Sequence, residues 1–143
     1  FGSALRLRAA LRPRALVYPD HGKWREAPLA LAGRRIVAVS GLANPSGFYA
    51  MLRRLDADLV GVLEFPDHHA YTSSDWQAIA SASRDGALLM TTEKDLVKLE
   101  RFPFARDSLY ALRIEVAMND TDLAALDELI MARIRAPRIA ASA

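Results

Sequence analysis

The feature that most constrains this chain is the alternation of short β-branched runs with amphipathic segments that begins at Arg35. Arg35–Ser40 (RIVAVS) reads as a buried strand, and Pro45–Leu55 as a helix with Phe48, Met51, Leu52 and Leu55 on one face. Leu59–Phe65 is the next strand and Ser73–Arg84 the next helix. A strand at Ala87–Thr91 (ALLMT), a short helix at Glu93–Leu99 and a strand at Ser108–Ile114 follow. The closing helix, Thr121–Arg135, carries Leu123, Leu126, Leu129, Ile130 and Ile134 as its apolar stripe. Strands alternating with helices require βαβ crossovers, so the expected class is α/β, a mostly parallel sheet with helices on both faces.

Residues 1–33 break this rhythm. Pro13, Pro19, Gly22, Pro28 and Gly33 mark a basic lead or linker, partly irregular and with some strand content. Residues 34–136 then form the α/β domain, and 137–143 a frayed Ala-rich tail. The lead is also where the charge gathers. Residues 1–35 hold eight Lys/Arg against two acids, and the remainder eleven against fifteen, so +6 and −4 give the net +2. Arg6, Arg8, Arg12 and Arg14 have no acid among them. Such a cluster suits phosphates or anionic lipid headgroups, or is simply a solvated linker or edge strand. No nucleic-acid partner is expected.

At 143 residues, 52% apolar and 25% charged, the chain is long enough for one domain with a buried core. No run nears the roughly 18 apolar residues a membrane helix needs, so a soluble chain is expected. The absence of cysteine removes disulfide frameworks and thiolate metal sites, and is compatible with the cytoplasm. The chain opens on Phe with no signal-peptide pattern, which reads as a piece of something longer or a processed product.

Chemistry is expected at the three strand-to-helix junctions, because in an open parallel sheet they emerge together at the carboxyl ends of the strands. The first is Ser40-Gly41-Leu42-Ala43-Asn44-Pro45. Gly41 permits a tight turn, Asn44 suits an N-cap and Pro45 the first helical position, and the amides there are able to hold an anion. The second is Phe65-Pro66-Asp67-His68-His69, a loop ended by the capping box of Thr72 and Asp75. Asp67 beside His68 is a carboxylate able to orient an imidazole or raise its proton affinity. Adjacent loop histidines with no third ligand cluster make a poor metal site, and no metal is assigned. The third is Thr91-Thr92-Glu93-Lys94-Asp95, where Thr92 and Asp95 again have capping-box spacing and Glu93 and Lys94 remain at the sheet edge.

In order and spacing, Ser40–Pro45 with Phe48, then Phe65-Pro66-Asp67-His68, then Met90-Thr91-Thr92-Glu93-Lys94-Asp95 resemble the C-terminal half of the tetraacyldisaccharide 4′-kinase family. The resemblance implies a P-loop-kinase fold of two α/β parts, with ATP and Mg²⁺ serving the intact enzyme. It implies phosphorylation of the 4′-hydroxyl of an acylated disaccharide 1-phosphate, a lipid A precursor, at the cytoplasmic face of the inner membrane. It also implies that His68 matches a histidine that assists a catalytic aspartate of the N-terminal part, whereas His69 matches no required position. The family's phosphate-cradling GxxxxGK[ST]-type loop is missing from these 143 residues, as are its membrane-anchoring helix and its metal-binding acids. This chain is therefore expected to hold no cofactor itself, to need the P-loop half of the same protein as partner, and to be inactive alone.

His68 and Asp67 are thus the expected catalytic residues, and Gly41, Asn44, Thr92, Glu93 and Lys94 the expected substrate-side residues. The competing reading is a non-catalytic α/β module that docks a partner protein or an anionic membrane through the basic lead. A metal-dependent phosphoesterase, prompted by the letters Asp-His-His, lacks the further acids and histidines such sites need.

Overall fold

The structure is a computed structural model that describes residues 4–103 and 106–136. The expected frayed tail, residues 137–143, lies outside the described residues. Six strands and four helices follow in the order β1 (Ala9–Asp20), β2 (Lys23–Ala27), β3 (Arg35–Ser40), α1 (Ser46–Arg54), β4 (Asp58–Glu64), α2 (Ser73–Ala82), β5 (Leu88–Thr92), α3 (Glu93–Leu99), β6 (Leu109–Met118) and α4 (Asp120–Arg135). The strands form one sheet in the order β2-β1-β6-β5-β3-β4. Within it β3 pairs parallel with β4 and with β5, and β5 pairs parallel with β6. The mostly parallel α/β sheet expected from the alternation is present.

The lead is more strongly structured than its proline and glycine content implied. β1 and β2 pair antiparallel across a two-residue turn, with Asp20 opposite Lys23 and with His21 at φ 47° and Gly22 at φ 78°. Two consecutive positive φ values give the turn the twist that adjoining strands require. Arg25 donates to Asp20 across this hairpin. Ala15, Leu16 and Val17 of β1 are buried, so the lead supplies core residues as well as a linker.

β3 shows why the central strands read as near-continuous apolar runs. Ile36 and Ala38 face one buried cluster, with Phe48, Tyr49 and Leu52 of α1. Val37 and Val39 face the other, with Trp76 and Ile79 of α2 and Leu96 and Leu99 of α3. With both faces covered, the usual alternation of apolar and polar residues disappears. The same division places α1 on one side of the sheet and α2 and α3 on the other. From β3 the chain crosses to β4, and the next crossover returns past β3 to β5, so the direction of winding reverses between β3 and β5.

By compactness the chain divides into a larger unit, Pro13–Glu115, and a smaller one whose described residues are 4–12 and 116–136. In the smaller unit α4 starts at Asn119, whose side chain accepts from the Asp122 amide at 2.8 Å, while Asp122 accepts from the Arg8 amide at 3.1 Å. The helix itself was expected, but the burial of its apolar stripe is not found. Leu123, Leu129, Ile130 and Ile134 are all exposed, and no α4 residue is buried. A 3.6-residue apolar period identifies a helix; it does not identify what covers that helix.

Candidate active site

The reversal between β3 and β5 opens at the carboxyl ends of those strands, and the buried carboxylate of Asp95 sits there. Thr92 caps α3 with its hydroxyl, which accepts from the Asp95 amide at 3.2 Å. The reciprocal half of a capping box is not formed. Asp95 instead turns its Oδ2 toward β3, where it accepts from the Gly41 amide at 2.9 Å and the Thr92 hydroxyl at 3.1 Å. The anion held by the Gly41 turn is therefore this chain's own carboxylate. A Cβ on Gly41 would lie 3.1 Å from Asp95 Oδ1, 3.2 Å from the Tyr71 hydroxyl and 3.3 Å from the Pro66 carbonyl oxygen. Neither Asp95 Oδ1 nor the Tyr71 hydroxyl makes a hydrogen bond. Burial, with the nearby Asp95 carboxylate adding to it, drives the Tyr71 pKa far above that of a free phenol.

Tyr71 ends the loop that carries the histidines. After β4 the chain turns at Asp67 and His68, and His68 adopts φ 57°, a left-handed conformation uncommon for a residue with a Cβ. Four ties hold the loop. Lys94 Nζ donates to Asp67 Oδ1 at 2.8 Å, His69 Nε2 meets Asp75 Oδ2 at 2.8 Å, Lys98 Nζ donates to the His69 carbonyl at 3.1 Å, and Arg101 donates to the Tyr71 carbonyl at 2.6 Å. His69 also stacks on Phe65, ring centres 5.0 Å apart, and meets Tyr71 edge-on. The Thr72–Asp75 capping box is complete in both directions, and Asp75 uses the same Oδ2 for the Thr72 amide and for His69.

Amid these ties the His68 ring is left free. Its side chain is 81% exposed, and its nearest partner is Asp67 Oδ2, 3.5 Å from Nε2. The expected orientation of the imidazole by Asp67 is thus only a loose approach, because the other oxygen of Asp67 is committed to Lys94. That hydrogen bond is the largest reason the Asp67 pKa lies below the usual carboxylate range, with His68 contributing as well. Asp75 is held low in the same direction, first by the Thr72 amide and then by His69.

The structure gathers the remaining expected residues unevenly. Lys94 meets Asp67 directly, and Thr92 and Gly41 converge on Asp95. Glu93 turns away to Arg113, whose Nε and Nη2 both meet Glu93 Oε1 at 2.9 Å, and Arg113 also reaches Glu26 of the lead hairpin. Asn44 lies one residue earlier than expected relative to its helix: Pro45 occupies the cap position, and Asn44 Oδ1 accepts from the Ser46 hydroxyl at 2.7 Å. Two participants do not stand out in the sequence. Asp95 reads there only as a cap partner, since its spacing from Thr92 looks the same as that of Asp75 from Thr72. His69 reads as a bystander, although an aspartate six residues downstream and two flanking aromatics are visible signals.

Among the described residues no three His, Asp or Glu side chains gather as a metal site. With no phosphate-cradling loop in the sequence either, the donor set does not fit a nucleotide–metal complex, and no step is derived through one. No helix among the described residues is long and apolar enough to cross a membrane.

Comparison with known proteins accords with these features. The family model for tetraacyldisaccharide-1-P 4′-kinase matches residues 3–135. A tetraacyldisaccharide 4′-kinase from Methylorubrum extorquens is 42% identical over 109 residues, covering 75% of this chain and 31% of the relative. One from a Bradyrhizobium species is 35% identical over 139 residues, covering 94% of this chain and 39% of the relative. The chain thus spans between 31% and 39% of the length of these relatives. A crystal structure of LpxK from Aquifex aeolicus in complex with ATP superposes with a TM-score of 0.60 at 24% identity, over 92% of this chain and 37% of that one. That likeness concerns the fold.

Proposed function

Because the chain belongs to the tetraacyldisaccharide-1-P 4′-kinase family, we propose that it is the C-terminal, imidazole-bearing part of a lipid A 4′-kinase. The intact enzyme would move the γ-phosphate of ATP to the 4′-hydroxyl of the acylated disaccharide 1-phosphate at the cytoplasmic face of the inner membrane. The observation that carries this reading is the His68 loop: its neighbours Asp67 and His69 are tied by Lys94 and Asp75, while the His68 side chain is 81% exposed, in a left-handed backbone conformation, at the carboxyl edge of a parallel sheet. Pinning of this kind suits a group that must meet a partner from elsewhere in a fixed geometry.

Phosphoryl transfer asks for a proton acceptor near the attacking hydroxyl and for charge stabilisation around the phosphates. This chain supplies the first in part. The His68 ring, 81% exposed beside Asp67, is open to a partner from outside the chain. His68 then assists an aspartate from the P-loop half, which takes the 4′-hydroxyl proton. Lys94 keeps Asp67 ionised, and Gly41 and Thr92 act through Asp95 to hold the turn under the loop. Asn44, Glu93 and Lys94 frame the side from which the disaccharide approaches. ATP and Mg²⁺, when bound by the other half, supply the transferred group and neutralise its charge.

A membrane role for the lead has its own support. Arg6, Arg8, Arg12 and Arg14 are exposed, and their side chains meet no carboxylate among the described residues. Clustered cations of this kind attract an anionic leaflet.

The test is ATP-dependent phosphorylation of the tetraacyldisaccharide 1-phosphate in detergent micelles, by the 143-residue chain alone and by a protein joining it to the P-loop half. Activity only in the joined protein is the expected result. Activity in neither would overturn the kinase reading and favour the docking module.

A further inference from the structure

Beside His68 the loop and α3 enclose a cleft of about 370 Å³, lined by His68, His69, Tyr71, Val97, Lys98 and Arg101. That volume is in the range of small-molecule sites. The cleft is chemically two-sided. Val97 is exposed on its wall although it is apolar, and with Ala70 and the Tyr71 ring it makes an uncharged floor. Lys98 and Arg101 give it a double positive charge, and no carboxylate neutralises either one among the described residues. Each donates to one loop carbonyl, His69 for Lys98 and Tyr71 for Arg101. An ammonium has three donors and a guanidinium five, so both keep hydrogen-bonding capacity to spare.

Arg101 also lies over the Phe102 ring, its Cζ 4.8 Å from the centre, but neither that contact nor pinning the loop requires two charged donors on one cleft. A carbonyl is served as well by a neutral donor, and placing like charges together has a Coulombic cost. An oxyanion between them would remove that cost, and a phosphate monoester offers up to two charges and three acceptor oxygens. The lysine acts there as a point charge and the guanidinium as a two-pronged donor. The uncharged floor suits the ring face or chain of a molecule carrying such a phosphate.

We propose that this cleft binds the phosphate that the disaccharide substrate carries at position 1, away from the hydroxyl that reacts. The inference rests on the kinase reading and adds to it a subsite and two residues, Lys98 and Arg101, that select phosphorylated disaccharide. The site is also adjacent to the reactive histidine, since His68 forms part of its rim.

The experiment uses the protein that joins this chain to the P-loop half. Wild type, Lys98→Gln, Arg101→Gln and the double variant are assayed on the tetraacyldisaccharide with and without its 1-phosphate, in neutral detergent and with added phosphatidylglycerol vesicles. Charge-assisted hydrogen bonds of this kind set the scale, so the double variant should raise KM for the 1-phosphate substrate by about 10- to 100-fold. Both side chains also tie the His68 loop, so kcat falls on either substrate; the subsite shows as the further KM rise confined to the 1-phosphate substrate, with KM for ATP unchanged, and Arg101→Lys should recover part of that rise. If KM shifts equally for both disaccharides, Lys98 and Arg101 only hold the loop and the subsite is refuted. If the phosphate dependence of the variants matches that of wild type while only their response to phosphatidylglycerol falls, the cations serve membrane headgroups and the subsite is again refuted. A wild-type protein inactive on both substrates overturns the kinase reading, and the subsite with it. A His68→Ala control separates the two ideas, because it lowers kcat whether or not the 1-phosphate is present.

Discussion

At the scale of single residues, Asp95 and Gly41 decide whether the site has a base to stand on. The Gly41 amide is buried against Asp95, and a methyl group there would sit tightly, 3.1–3.3 Å from the carboxylate, the Tyr71 hydroxyl and the Pro66 carbonyl. Gly41→Ala must push at least one of these aside, and we expect a loss of about 1–3 kcal/mol, the usual cost of overpacking. Asp95→Ala strips the partner from a buried amide and should cost about the same. Chemical denaturation checks both, and an unchanged midpoint for Gly41→Ala would contradict the close approach. The sequence showed a glycine at a turn here but not the reason for it, because the carboxylate that fills the turn comes from 54 residues away.

Asp75 and Asp67 carry a pH signature at the same scale. Both carboxyl groups lie below the ordinary value of 3.8 in the folded protein, Asp75 chiefly through the Thr72 amide and Asp67 chiefly through Lys94. A depressed folded pKa means the unfolded chain binds the proton more readily. The stabilisation is therefore present above pH 3.8 and is lost as pH falls below it, toward the folded value. Asp75→Asn should lower the melting temperature at pH 6 and narrow its difference from wild type at pH 3. A constant difference across that range would show that the His69–Asp75 tie does not depend on charge.

At the scale of elements, periodicity was a sufficient guide to what each segment is and a poor one to what it touches. β3, β5 and α3 were legible nearly to the residue because their apolar pattern has only one interpretation in a sheet covered on both faces. β1 and β2 were obscured by Pro13 and Pro19, which a strand tolerates where their missing amide is not needed. α4 was legible as a helix, yet its stripe is exposed. The aromatic pair of Trp76 on α2 and Phe102 after α3, 5.6 Å apart and nearly parallel, ties the two helices on one face of the sheet. Trp76→Ala should cost about 3–5 kcal/mol, the range for removing a fully buried large ring. Thermal unfolding measures it, and a loss under about 1 kcal/mol would mean that α2 does not anchor the histidine loop through its core face.

Over the whole molecule, one sheet edge collects the chemistry-bearing side chains, and the phosphate-cradling loop motif is not in the sequence. We propose His68 as the group that gives this division meaning, since its ring is exposed on a loop tied at both neighbours. The sequence placed it in a loop beside Asp67, and the resemblance gave it a partner outside the chain. Only the fold showed that Asp67 is shared with Lys94 and that His69 is tied to Asp75. The most direct measurement is steady-state kinetics of His68→Ala in the joined protein. The expected result is a fall in kcat of about 100-fold or more, the scale of a general acid–base contribution, with KM for ATP little changed. Wild-type kcat without the imidazole would contradict it.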